Sequence, residues 1–134
     1  NADQRGGHSW SYYLTSSADN SNSFATRFGW GARVPLLTRI IPGAGPGDER
    51  WGGTFIDGWP QDVLLVNARP GEDGKSVFVH LRETGGVERT LSLTNGFTGS
   101  PLTLREVDVT GIPVAGPPAK IGPLESKFLE IVLR

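Results

Sequence analysis

Breaks recur along the second half of this chain at intervals of roughly 8–12 residues. Pro70-Gly71-Glu72-Asp73-Gly74, Gly85-Gly86, Asn95-Gly96, Gly111 and Gly116-Pro117-Pro118 are residues that tolerate a positive φ or lock a negative one, so each marks a turn. The apolar runs between them are short, as strands are: 62–68, 76–83, 87–94, 102–109 and 126–133, with weaker patterns at 54–57 and 120–122. Short strands at this spacing predict an all-β, antiparallel fold, a sandwich or a barrel. The 19 Gly and 10 Pro make up roughly a fifth of 134 residues, against about 12% in an average protein, which argues against a helical bundle. No helix-period segment longer than two turns and no internal repeat is expected. The length fits a single domain spanning 1–134, with a possible loop division at 42–53, where Pro42-Gly43-Ala44-Gly45-Pro46-Gly47 is the strongest breaker.

Several strands can be read by face. In 76–83, Val77, Val79 and Leu81 alternate with Phe78, His80 and Arg82; the first set is expected in the core with Leu91 and Leu93, the second on the opposite face. A three-residue loop, Thr84-Gly85-Gly86, would join 76–83 to 87–94 as a hairpin pairing Arg82 with Glu88 and Val79 with Leu91, since a two-residue turn would set Glu83 against Glu88. Leu102 and Leu104 differ in parity from Val107 and Val109, which predicts a β-bulge near Arg105-Glu106. The last strand, 128–133, is apolar on both faces and so belongs inside a sheet. Toward the N-terminus, 8–14 alternates Trp10 and Tyr12 with Ser9 and Ser11 and reads as a strand, 15–23 reads as a loop, and 34–41 reads as a strand; 24–30 fits no single period.

The function classes narrow by exclusion. With no Cys, disulfides, thiol catalysis and thiolate metal sites are ruled out. A formal net charge of -1 gives no electrostatic footprint for nucleic acid. No run approaches the roughly 18 apolar residues of a membrane span, and no signal-peptide core is visible. Met is also absent, and a chain opening Asn1-Ala2-Asp3-Gln4 is expected to have been processed or cut from something longer. His8 and His80 lie far apart without neighbouring ligands, so structural or surface roles are expected. The acidic pairs Asp48-Glu49, Glu72-Asp73 and Glu106-x-Asp108 carry no mark of a glycosidase pair. No Gly-x-Ser-x-Gly elbow or phosphate loop is present. Aromatic residues remain as the binding signal: Trp51 and Trp59 flank glycine turns and are the candidate carbohydrate contacts, with burial in a core or against another domain as the other reading.

A series of motifs can also be compared with a known family. Trp10-Ser11-Tyr12-Tyr13-Leu14, Phe28-Gly29-Trp30 followed by Val34-Pro35-Leu36, Asp62-Val63-Leu64-Leu65, Ala68-Arg69-Pro70-Gly71-Glu72-Asp73-Gly74, Val79-His80-Leu81-Arg82-Glu83-Thr84-Gly85-Gly86 and Ile121-Gly122-Pro123-Leu124-Glu125-Ser126-Lys127-Phe128 occur in that order. Together the series resembles the C-terminal β-domain of glycoside hydrolase family 38 α-mannosidases. Arg69 stands where Lys is usual, and Leu124-Glu125-Ser126 replaces Phe-Glu-Ile. The resemblance implies an antiparallel β-sandwich of short strands, without catalytic or metal residues of its own. It further implies a retaining α-mannosidase as parent, whose zinc and Asp nucleophile sit in an upstream α/β domain. The expected partner is that catalytic domain of the same polypeptide. An independent carbohydrate-binding module using exposed Trp51 or Trp59 is the alternative, and a plain adhesion or scaffold sandwich a third.

Overall fold

The structure is a computed structural model that describes residues 6, 7, 9–34 and 53–133. Among these residues the fold is all-β and antiparallel, with one helix, α1 (Asn22–Arg33). The main sheet has four strands: β2 (Val63–Pro70), β3 (Ser76–Glu83), β6 (Thr103–Val107) and β8 (Ser126–Val132), in the order β2-β3-β8-β6. Two short ladders accompany it. One pairs β1 (Ile56–Asp57) with β5 (Thr94–Asn95), the other β4 (Arg89–Thr90) with β7 (Lys120–Ile121).

The core follows the period-2 pattern. Val63, Val79, Leu81, Leu129 and Ile131 come from one face of the sheet, and Leu91, Leu93, Leu102 and Ile121 from the segments lying against it. Leu81, Ile121, Leu129 and Ile131 are fully buried, each contributing roughly 1.5–3 kcal/mol of transfer free energy. Val77 is half-buried against the same cluster. The face expected for β3 is therefore observed, and so is the internal position of the last strand: β8 lies between β3 and β6.

Other expectations are corrected. The hairpin joining β3 to the following segment does not form, because both edges of β3 are occupied, by β2 and by β8. After Glu83 the chain leaves the sheet and pairs in the ladder of β4 with β7. No bulge occurs at Arg105-Glu106; β6 pairs with β8 without interruption from Thr103 to Val107. Val107 therefore faces away from Leu104, and Val109 lies beyond the strand and is exposed. The bulge is instead in β2, between Leu65 and Asn67. Residues 9–14 form no strand among the described residues, although Trp10 and Tyr12 alternate with serines. The helix exceeds two turns: α1 has 12 residues and is capped by Ser21, whose hydroxyl accepts the Phe24 N–H at 3.1 Å. The strand expected at 34–41 lies outside the described residues apart from Val34, the helix C-cap, as does the loop at 42–52. No helix of the described residues is long and apolar enough to cross a membrane.

Candidate functional site

The two tryptophans singled out by the sequence differ in what can be said. Trp51 lies outside the described residues, and so does His8. Trp59 follows Gly58, which adopts φ +85 where any Cβ would run into the Ser92 carbonyl. That turn sends the indole inward: it packs on the core cluster, and its Nε1 donates to the Ile56 carbonyl at 3.1 Å. Trp59 is half-buried, and its outer side lines a cleft with Arg27, Gln61 and Leu64.

Four carboxylates within the described residues serve the fold. Asp73 Oδ1 accepts the Lys75 N–H at 2.9 Å and the Ser76 hydroxyl at 3.1 Å, closing the turn from β2 to β3; the Lys75 amide, first, holds this carboxyl below its ordinary value. Glu106 Oε2 accepts from the buried Lys127 ammonium at 3.1 Å, and Lys127 also donates to the carbonyls of Lys120 at 2.6 Å and Pro117 at 3.3 Å. Asp108 Oδ1 accepts the Thr110 hydroxyl at 2.6 Å, the Ile112 N–H at 3.0 Å and the Thr110 N–H at 2.8 Å, and these bonds lower its pKa. Glu83, which the sequence did not mark, is a fully buried carboxylate. Its oxygens accept from Gly85 at 2.7 Å, Gly86 at 2.8 Å and Leu124 at 2.9 Å. Burial alone would raise its pKa, but the backbone donors outweigh burial and the net shift is downward. No group of His, Cys, Asp or Glu side chains able to hold a metal ion occurs among the described residues, so they offer no donor set for zinc.

Two surfaces stand out among the described residues. The first is the N-terminal segment, where Trp10 is 74% exposed, Tyr12 83%, Tyr13 63% and Leu14 93%. Tyr12 and Tyr13 share a cleft with Phe28, Ala32 and Arg33 of α1, and Phe24, Arg27 and Phe28 share another with Gln61 and Asp62. The helix thus connects this aromatic segment to the start of β2.

The second surface is the face of the main sheet away from the core. The bulge in β2 leaves Val66 without a partner and reverses the parity beyond it. Leu65 pairs with Leu81 on the core side, whereas Asn67 pairs with His80 and Arg69 with Phe78. A row of side chains then crosses the sheet: Asn67, His80, Phe128 and Val107. The His80 ring stacks on Phe128 with centroids 4.4 Å apart and planes at 17°, and the Arg69 guanidinium lies 4.7 Å from the Phe78 centroid. Together with Asp108 and Val109 these residues line a cleft of about 170 Å³. The alternation of β3 placed Phe78, His80 and Arg82 on this face; Asn67 and Arg69 could not be placed there without knowing of the bulge.

No protein-family model, no curated protein and no solved structure matches this chain.

Proposed function

We propose that this chain is a non-catalytic β-domain of an α-mannosidase-like glycoside hydrolase, and that it packs on and steadies a zinc-dependent catalytic domain of the same polypeptide. The reading is supported by the ordered motif series that resembles glycoside hydrolase family 38. The observation that carries it is the aromatic segment 10–14: large rings held at the surface beside α1 are costly to leave in water and are enriched where one protein surface meets another. Asp73, Glu83 and Asp108 are committed to turns and backbone amides and Glu106 to Lys127, which supports a reading in which the chemistry belongs to the partner domain.

Tyr12→Ser combined with Leu14→Ser tests the packing role. In the full polypeptide carrying these residues, the double variant is expected to lower the thermal midpoint and the hydrolysis of an aryl α-mannoside. In the 134-residue chain alone it is expected to leave the midpoint unchanged. Equal loss in both, or no loss in the full polypeptide, overturns the reading. The carbohydrate-binding alternative is tested by electrophoresis through mannan-containing gels. Unretarded migration is expected, and clear retardation would sink the inert-domain reading.

A further inference from the structure

The outer-face cleft carries chemistry that the packing role does not use. Arg82 on this face donates to Ser126 at 3.3 Å, and Arg105 pairs with Glu130 at 3.4 Å. Arg69 is different: among the described residues no carboxylate lies within ion-pair distance, and its guanidinium rests on the Phe78 ring beside Gly111. Four acids lie around it, and of these Glu72 shares a neighbouring cleft with Arg69 but is beyond ion-pair distance. Glu130, across Phe78, is held by Arg105, Asp73 Oδ1 closes its own turn, and Asp108 Oδ1 is directed into the 108–112 turn. His80, half-buried, makes a ring stack and no hydrogen bond among the described residues.

What faces the cleft is therefore rich in donors: a guanidinium fork, an imidazole and the Asn67 amide. A fork of this kind matches a carboxylate in two-point geometry, and aromatic ring edges add positive potential. The remaining walls are apolar at Phe78, Phe128, Val107 and Val109, and acidic only at Asp108, whose Oδ1 is taken up by the amides of Thr110 and Ile112. At about 170 Å³ the cleft is smaller than the roughly 300–1,000 Å³ of sites for drug-sized ligands, so its ligand is compact.

We propose that this cleft binds a small carboxylic acid with an apolar body, the carboxylate on Arg69 with Asn67 and His80, and the body against Phe78, Phe128 and Val107. The site stands independently of the packing reading, since it uses none of residues 10–34. The test is titration of the ¹⁵N-labelled chain with benzoate, benzamide and D-glucuronate, followed by NMR. Benzoate is expected to give saturable shifts at the Asn67, His80 and Val109 amides. Benzamide, with the same shape and no charge, and glucuronate, with the charge and a hydroxylated body, are each expected to bind at least tenfold more weakly. Arg69→Gln should weaken benzoate at least tenfold. Val109→Asp, at an exposed position that does not carry the core, should do the same by adding a negative wall. No saturable shift with benzoate, equal binding of benzamide or glucuronate, or unchanged affinity in both variants with preserved spectra overturns the proposal.

Discussion

Glu83 shows how much one buried side chain can organise. Its carboxylate ties the turn after β3 to the turn before β8, where Leu124 sits at φ 54, a left-handed conformation uncommon for a residue with a Cβ. Because its pKa is lowered on folding, the unfolded chain takes up the proton first as the solution is acidified. The stabilisation is therefore complete above the ordinary carboxyl value of 4.5 and is lost as pH falls below it through the folded value. Denaturant titrations of Glu83→Gln against the parent chain should show a loss of roughly 1–3 kcal/mol at neutral pH and a shallower decline in acid. An unchanged acid slope would mean that the other lowered carboxyls, Asp19, Asp73 and Asp108, carry the effect. Lys127 poses the complementary case: its ammonium is buried and needs Glu106. Glu106→Ala is expected to cost about 3–5 kcal/mol, measured by urea unfolding, because it removes the nearer carboxylate and leaves that charge only Glu125, at 3.8 Å.

At the scale of elements, the strands were largely readable from the chain and their partners were not. The alternation in β3 and the two-faced apolarity of β8 report directly which surfaces a strand covers, because side chains alternate with every residue. Pairing is different: the turn residues Gly85-Gly86 are compatible with a hairpin, yet β8, distant in sequence, supplies a better apolar edge for β3. The helix was hidden for another reason. Gly29 and Gly31 interrupt any apolar stripe, and its N-cap lies in a polar stretch that resembles a loop. Neither glycine has a neighbour that a Cβ would meet. Gly31→Ala should therefore raise helicity by circular dichroism and stabilise by about 0.5–1 kcal/mol. Leu129→Ala, in the middle of β8, should cost about 2–5 kcal/mol in thermal or urea unfolding. The cleft on the outer face was half legible: His80 and Phe78 follow from alternation, while Asn67 and Arg69 depend on a single extra residue in β2.

For the molecule as a whole, stability is concentrated in the sheet. Amides of β3 and β8, paired on both sides and backed by the core, should exchange hydrogen most slowly, and those of α1 and residues 9–21 most rapidly. A slow-exchanging α1 in the chain alone would show that the helix is anchored more firmly than its exposed surface suggests. The central place of β8 also bears on how the protein is made. A ribosome delivers β2 and β3 first, and they can zip into a hairpin at once. β6 emerges later, with no contact to β3 in the sheet until β8 arrives to bridge them. Until β8 emerges the nascent sheet therefore holds unpaired strand edges, a natural target for chaperones, and it completes only when its keystone strand clears the exit tunnel.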